Sequence, residues 1–203
     1  MATLGLVLAA GSGARLGLPK ALVADAHGQT WLARSVETLR SGGIETVYVV
    51  VGARADDVKA AAPRECQVIE APNWAEGMGA SLRTGLVTLQ GDHPSADAVV
   101  VMLVDTPGVS ADVVRRLTES VKATTLARAS YNGKPGHPVL IGRAHWASAR
   151  AGAQGDEGAR GYLESAGVTL VECGDLGSGD DVDTPEALTR WRQAESPSGI
   201  YLG

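Results

Sequence analysis

Residues 6–20 consist of an apolar run followed by a glycine-rich stretch, and this stretch contains two cationic residues, Arg15 and Lys20. An arginine can bind two phosphate oxygens at once, whereas a lysine acts as a mobile point charge. Glycine lets the backbone adopt positive φ and approach a ligand without a Cβ, so that N–H groups can point at oxyanions. The glycines expected to do so are Gly11, Gly13 and Gly17. Since no acidic residue lies between Ala9 and Lys20, the stretch predicts an anion site.

Two common phosphate motifs do not fit this stretch. The dinucleotide fingerprint G-x-G-x-x-G fails because its third glycine, Gly17, comes one place late. The P-loop fails because Lys20 follows Pro19 and precedes Ala21, where the motif needs Gly-Lys-Ser or Gly-Lys-Thr. The alternative to an anion site is a glycine-rich turn with two solvated cations.

Acidic residues follow two other segments. Asp105 comes directly after the most apolar run of the chain, at the end of a strand where open α/β sheets bind ligands. A carboxylate there can hold Mg²⁺, which needs few protein ligands; alternatively, Asp105 caps the following helix. Residues 179–188 supply Asp183 before Thr-Pro-Glu, where an aspartate can also act only as a helix cap.

Residues 71–86 predict a loop followed by a helix. Gly77 and Gly79 flank Met78 and allow the backbone to approach something flat, and Ser81 can offer its hydroxyl or N–H at the helix start. The alternative is a helix cap with Trp74 packed in the core.

Two polar residues lie between the acidic segments. His137 precedes a proline in residues 131–142, and Arg160 ends the sequence GDEGAR. His137 could contact a phosphate or a pterin, but a structural role is an equal alternative. Arg160 could bind a phosphate or be solvated.

The rest of the chain alternates strand-like and helix-like segments with short connections, the rhythm of a parallel sheet. Strands are expected at residues 5–10, 46–51, 67–70, 96–104 and 168–172, and helices at 30–39, 55–62, 80–90, 112–121, 144–150, 158–166 and 185–194. A turn at Asn132-Gly133 predicts a hairpin within 124–141, outside the parallel pattern. We therefore expect one α/β domain over residues 1–194, with helices on both faces of a mostly parallel sheet, and a mobile tail over 195–203.

Composition excludes several function classes. The formal net charge of -5 and pI near 5.4 argue against a nucleic-acid groove or an anionic membrane surface. Cys66 and Cys173 lie far apart and predict small core residues, with neither a metal knuckle nor a disulfide framework. Neither a signal peptide nor a membrane helix is indicated, so cytoplasm is the default location.

Four motif blocks resemble the nucleotidyltransferases related to molybdenum cofactor cytidylyltransferase. The blocks are LAAGSGARLGLPK, NWAEGMGASLRTGL, Val104-Asp105-Thr106-Pro107 and DVDTPE. Gly-His-Pro-Val-Leu and GDEGAR are similar to further segments of that family, and the resemblance covers nearly the whole chain to Leu188. It implies a Rossmann-like three-layer sandwich.

The resemblance also implies roles for individual residues. Nucleotide-binding roles fall on Leu8, Ala9, Ala10, Gly11, Ser12, Gly13, Arg15 and Lys20, and on the base-reading residues Gly77, Met78 and Ser81. Arg15 and Lys20 are the implied catalytic residues, Asp105 and Asp183 the implied Mg²⁺ ligands, and His137 and Arg160 the implied acceptor contacts. A phosphate nucleophile is already anionic, so catalysis needs alignment and cations but no general base.

The implied reaction is Mg²⁺-dependent transfer of CMP from CTP to the terminal phosphate of a molybdopterin-type cofactor, with release of pyrophosphate. A molybdoenzyme or its chaperone is an implied partner. Cytosine is favoured by LAAG at residues 8–11, where guanylyl-transferring relatives tend to have LAGG. The alternatives are guanylyl or cytidylyl transfer to another phosphorylated small molecule, an NAD(P)H-dependent oxidoreductase on the same fold, or a binding protein without turnover.

Overall fold

The computed structural model describes residues 2–195, which form a seven-stranded sheet covered by helices on both faces. The strand order is β3-β2-β1-β4-β6-β5-β7. The strands are β1 (Thr3–Leu8), β2 (Val47–Val51), β3 (Cys66–Glu70), β4 (Ala98–Leu103), β5 (Leu126–Tyr131), β6 (Lys134–Gly142) and β7 (Thr169–Glu172). Only β6 is antiparallel to its neighbours β4 and β5 among these strands.

Seven α-helices connect or flank these strands. They are α1 (Trp31–Ser41), α2 (Ala55–Ala61), α3 (Met78–Asp92), α4 (Ala111–Leu117), α5 (Trp146–Gly152), α6 (Arg160–Ser165) and α7 (Pro185–Glu195). Single 3₁₀ turns lie at Lys20–Leu22, Trp74–Glu76, Arg143–His145 and Gly155–Glu157. Within residues 2–195, no helix combines the length and apolarity that crossing a membrane requires.

The central strands are buried on both faces, as their unbroken apolar sequences predict. Alternate residues of each strand enter two separate cores, because successive side chains point to opposite sides of a sheet. Val7 packs with Trp31 and Leu39 of α1 in one core. Leu6 packs with Leu86 of α3 in the other. These two cores are the two interfaces of a three-layer sandwich.

The order of the strands places the site. After β1, the chain adds β2 and β3 on one side of it, and β4 then lies on the other side, so the strand order reverses at β1. Strands β1 and β4 are paired in parallel from Thr3↔Ala98 to Leu8↔Leu103. Ligands of open α/β sheets bind at the carboxyl ends of strands at such a point. The predicted hairpin is present as β5 and β6, joined at Asn132-Gly133, both of which have positive φ. It adds β6 beside β4 and so brings new side chains next to this edge.

The predicted fold class is confirmed, and the observed differences are local. The first strand ends at Leu8 rather than Ala10, since the chain turns into the glycine loop there. Helix α3 starts at Met78, before the expected Ala80. Of the expected mobile tail, Glu195 closes α7 and residues 196–203 lie outside the described part of the chain.

Candidate active site

A cavity of about 460 Å³ opens at the carboxyl ends of β1 and β4. Eighteen residues line it. They are Leu8, Ala10, Gly11, Ser12, Gly13, Ala14, Arg15, Lys20, Trp74, Ala75, Gly77, Met78, Ser81, Leu103, Val104, Asp105, Asp156 and Asp183. The cavity therefore joins the glycine loop to the start of α3, the end of β4 and the approach to α7.

The glycine loop needs glycine at Gly13 and Gly17, but not at Gly11. Gly13 has a φ of +61°, and a Cβ there would collide with the Leu18 carbonyl oxygen. Gly17 has a φ of +75°. The expectation of positive φ at Gly11 is wrong, because its backbone lies in the ordinary region and a Cβ would meet open space. Gly11 therefore matters only if a ligand occupies that space.

Lys20 bridges two carboxylates, one from Asp105 in the middle of the chain and one from Asp183 near its end. Its Nζ donates to Asp105 Oδ2 at 2.6 Å and also to Asp183 Oδ1. Burial alone would lower the pKa of Lys20, but the adjacent carboxylates of Asp105 and Asp183 together raise it above its ordinary value. Lys20 is therefore fully charged at neutral pH, and its ammonium is fixed in this structure, unlike the mobile charge expected from the sequence.

Asp105 retains unused capacity for a ligand. Its Oδ1 is buried and has no hydrogen-bond partner in the described part of the chain. A buried carboxylate oxygen without a partner is costly unless a cation or donor reaches it. The alternative that Asp105 caps the next helix is wrong, because Ser110 caps α4 by accepting from Val113 N.

Asp183 is held beside Asp105 by backbone and helix contacts. Val182 N donates to Asp105 O at 3.0 Å. Thr184 then caps α7 by accepting from Ala187 N. Further along this helix, Trp191 packs edge-on against the buried Trp31 of α1, with 5.3 Å between ring centroids. The second acid of the site is thus positioned by the docking of α7.

The two carboxylates suit a magnesium-type ion. Mg²⁺ prefers oxygen ligands and takes one or two carboxylates, with phosphate and water oxygens completing its octahedron. Among residues 2–195, no larger group of metal-ligating side chains forms a site of protein ligands alone. A nearby third acid, Asp181, has its pKa raised to about 6 by partial burial and by the charges of Asp105 and Asp183.

Arg15 is the exposed cation of the site. Its guanidinium lies 3.5 Å from Asp183 Oδ2, and its side chain is 74% exposed. A pair this exposed contributes little to stability, because solvent screens it. Arg15 is therefore free to turn toward an anion in the cavity.

The start of α3 forms the other wall. Gly77 has a φ of +108°, and a Cβ there would lie 2.5 Å from the Gly155 backbone and 2.7 Å from Asp156 Oδ1. The 3₁₀ turn at Gly155–Glu157 is thus pressed against this wall. Ser81 is buried at the cavity, whereas Trp74 is half-buried and packs against Gly52. Trp74 therefore lines the cavity and also packs against Gly52. The sequence alone did not decide between these two roles.

His137 and Arg160 do not line this cavity. They lie in a smaller one of about 50 Å³ that shares Leu8 and Met78 with the first. Burial and the charge of Arg128 lower the pKa of His137 to about 4, so its imidazole is neutral at physiological pH.

The predicted site residues thus fall into three groups. Those lining the main cavity are Leu8, Ala10, Gly11, Ser12, Gly13, Arg15, Lys20, Gly77, Met78, Ser81, Asp105 and Asp183. His137 and Arg160 form the second group, in the adjoining cavity. Ala9 belongs to neither, because its side chain is buried in the core beneath the loop. Sequence reasoning did not single out Asp156 or Arg128, which have no distinctive spacing, although Asp156 lies within the GDEGAR segment.

Comparisons with known proteins show which family the chain resembles. The family model of the MobA-like NTP transferase domain matches residues 5–170. Nicotine blue oxidoreductase of Paenarthrobacter nicotinovorans is 34% identical over 92% of this chain and 94% of that protein. Purine catabolism protein PucB of Bacillus subtilis (strain 168) is 29% identical over 95% of this chain and 97% of its own length.

Solved structures show the same fold. Rv0371c from Mycobacterium tuberculosis H37Rv superposes with a TM-score of 0.81 at 29% identity, covering 95% of this chain and 98% of that one. A second structure of that protein is a complex with manganese, with a TM-score of 0.73 at 27% identity, covering 96% of this chain and 100% of that one. Because the family model spans most of the chain and includes the glycine loop and Asp105, this protein belongs to the MobA-like NTP transferase domain family of nucleotidyltransferases.

Proposed function

We propose that the protein transfers CMP from CTP to the terminal phosphate of a molybdopterin-type cofactor in a Mg²⁺-dependent reaction that releases pyrophosphate. The observation that carries the proposal is Lys20 held between Asp105 and Asp183 at the mouth of the glycine loop. This arrangement places a cation and two possible metal ligands in one cavity. Among the described residues that line this cavity there is no histidine or cysteine to complete a nucleophilic triad, and an anionic nucleophile needs none.

In this proposal the glycine loop and Arg15 bind the β and γ phosphates. Loop N–H groups and a guanidinium are both suited to oxyanions. Lys20 exchanges a carboxylate for the α-phosphate and stabilises the charge that develops during attack. Asp105 and Asp183 would hold Mg²⁺, which when bound neutralises phosphate charge and aligns the oxygens.

The choice of cytosine is supported by the residues beside the loop. Ala10 lines the cavity in the sequence LAAG, and the buried Ser81, which carries a hydroxyl, lines the same cavity. The molybdopterin-type acceptor is supported by the resemblance of the GHPVL and GDEGAR segments, which meet at the adjoining cavity. The alternative acceptor is another phosphorylated small molecule.

The proposal is tested by calorimetry with ATP, GTP, CTP and UTP, each with and without Mg²⁺, on the wild type and Asp105→Asn. We expect CTP to bind best, Mg²⁺ to strengthen its binding, and the variant to lose that strengthening. Preferential binding of another nucleotide contradicts the cytidylyl transfer. Turnover is then followed as pyrophosphate release with a molybdopterin-type acceptor.

An NAD(P)H-dependent oxidoreductase is the second candidate, favoured by the name of the relative that is 34% identical. The glycine spacing of residues 11–17 counts against it, because it does not match the dinucleotide fingerprint. Adding NADPH and NADH to the same calorimetric panel separates the two functions. Binding of NADPH without binding of any triphosphate would contradict the proposed nucleotidyl transfer and support the oxidoreductase.

A further inference from the structure

The small cavity behind the candidate active site has a chemical character of its own. Its floor is apolar and includes Val101, Val139 and Leu163. Arg128, His137, Arg160 and Glu157 supply its polar groups. Lys20 and Asp105 line the main cavity but not this smaller one. Leu8 and Met78 line both cavities and lie between them. A ligand portion bound here would therefore adjoin the reacting phosphates without being one of them.

Arg128 is the cation built most firmly into this cavity. It lies on β5, half-buried, and its Nε donates to the Gly136 carbonyl at 2.7 Å across the hairpin. In the described part of the chain, no carboxylate forms an ion pair with Arg128, and its two terminal nitrogens have no hydrogen bond. A fixed guanidinium with unused donors is pre-organised to bind an anion with two parallel hydrogen bonds.

The neighbouring carboxylates do not fully balance the positive charge of Arg128. Burial and the nearby charge of Arg160 lower the pKa of Arg128, although Glu164 and Asp181 act in the opposite direction. Glu164 is already engaged, since it accepts from Arg160 Nε at 2.8 Å. An anion between the two arginines would relieve their repulsion.

His137 adds a neutral polar group on the same side. Its Nδ1 is buried and has no hydrogen-bond partner among residues 2–195. Its backbone is held by Tyr131, whose hydroxyl donates to the His137 carbonyl at 2.7 Å. A buried ring nitrogen without a partner is unfavourable unless a ligand supplies one.

We propose that Arg128, with Arg160 and His137, binds an anionic group of the acceptor that is distinct from the phosphate attacking the nucleotide. The inference rests on the proposed nucleotidyl transfer and narrows its acceptor class. The acceptor carries a second anionic group, adjoining an apolar or flat portion that covers the floor at Val139. Arg128 is thus an acceptor-binding residue that selects among phosphorylated compounds.

The kinetic test compares Arg128→Met with Arg143→Met. Arg143 is a matched control, because it is also half-buried and donates to a backbone carbonyl, that of His93, at 3.1 Å, but it follows the far end of β6. With a molybdopterin-type acceptor, we expect Arg128→Met to raise KM for the acceptor about tenfold or more, the effect of losing a charged hydrogen bond. The Kd of CTP stays within about twofold of wild type, since the removed group lies outside the nucleotide cavity. The control leaves both constants unchanged.

A binding test needs no acceptor. Inorganic phosphate is titrated into ¹⁵N-labelled protein, and the arginine Nε–Hε resonances are followed by NMR and assigned with Arg128→Lys and Arg160→Lys. We expect saturable shifts at Arg128 that Arg128→Met abolishes without altering the thermal midpoint by more than a few degrees.

Two results would overturn the inference: phosphate shifts confined to Arg15, or an Arg128→Met variant in which CTP binding weakens as much as acceptor binding. If the wild type binds no CTP, the proposed transfer fails, and the phosphate titration alone then decides whether Arg128 binds an anion.

Discussion

The ammonium of Lys20 lies 2.6 Å from Asp105 Oδ2 and also contacts Asp183 Oδ1, and these two carboxylates are the ones that we propose would hold a divalent cation. The lysine therefore offsets one of the two negative charges of this acidic pair. In the proposed reaction, binding of a metal–nucleotide complex would require the ammonium to release carboxylate oxygens and contact phosphate oxygens instead. Lys20 therefore links the charge of the glycine loop to the charges of Asp105 and Asp183.

Removing that ammonium should separate metal binding from nucleotide binding. In Lys20→Met, we expect Mn²⁺ alone to bind several-fold more tightly, because no cation competes for Asp105 and Asp183. CTP should bind at least about tenfold more weakly, since a charged contact to phosphate is lost. Mn²⁺ binding is measured by electron paramagnetic resonance and CTP binding by calorimetry. Lys59→Met, which removes a surface lysine paired with Glu70, is the control. Weaker Mn²⁺ binding in Lys20→Met would contradict the competition.

Arg15 should act on the nucleotide alone. Because its side chain is largely exposed and its ion pair is long, Arg15→Met should leave the free energy of unfolding within about 0.5 kcal/mol of wild type. The Kd of CTP should rise about ten- to hundredfold, as for the loss of a charged hydrogen bond. Calorimetry and denaturant unfolding measure the two effects. Arg64→Met, an exposed arginine outside the cavity, provides the comparison. An unchanged Kd would remove Arg15 from the phosphate site.

Glycine is required at one end of α3 and not at the other. An alanine at Gly77 would meet the Gly155 backbone at 2.5 Å and force an unfavourable φ, so Gly77→Ala should cost about 1–3 kcal/mol. Gly91 lies near the other end of α3 with nothing within 4 Å of a Cβ, and Gly91→Ala should stabilise the protein by about 0.5–1 kcal/mol. Urea unfolding of both variants measures this difference. Equal effects would show that the packing of residues 155–157 on Gly77 is not tight in solution.

Glu172 should make the hairpin sensitive to acid. The backbone N–H groups of Gly133, Asn132 and Gly174 and the Ser130 hydroxyl bind its carboxylate and lower its pKa to about 2. A carboxyl group whose pKa is lowered by folding stabilises the protein above its unfolded pKa, and this contribution disappears as pH falls toward the folded value.

Glu172→Gln should therefore have a lower thermal midpoint than wild type at pH 7, and the difference should shrink between about pH 4.5 and 2. Differential scanning calorimetry across this range measures the effect. Glu119→Gln, on the exposed end of the segment after α4, controls for loss of a surface charge. A difference that does not vary with pH would mean that hydrogen bonding by the charged form is not the cause.

The sequence predicted the fold and the loop because both depend on local patterns. Unbroken apolar runs identify strands buried on two faces, and Asn132-Gly133 identifies a hairpin. The bridge from Lys20 to Asp183 could not be predicted from the residues alone, because it joins positions 163 apart in the chain. Its existence depends on how α7 docks against α1.

Arg128 was missed for a different reason. A single charged residue within a strand is ordinary where one face of a sheet is partly exposed. Arg128 becomes a candidate binding residue only because the antiparallel β6 places Gly136 and His137 beside it. Likewise, the contact of Asp156 with Gly77 joins two loops whose approach is set by helix packing and not by either sequence segment.

The insertion of β6 beside β4 also has an evolutionary consequence. Residues 3–105 supply the glycine loop, the α3 wall and Asp105, whereas the hairpin and the segment through α6 supply most of the lining of the neighbouring small cavity. The two parts of the chain are joined by the pairing of β4 with β6, and Leu8 and Met78 line both cavities. Under the proposed function, exchange of residues 124–166 between relatives would therefore change what receives the nucleotide and leave the glycine loop, Asp105 and Asp183 unaltered.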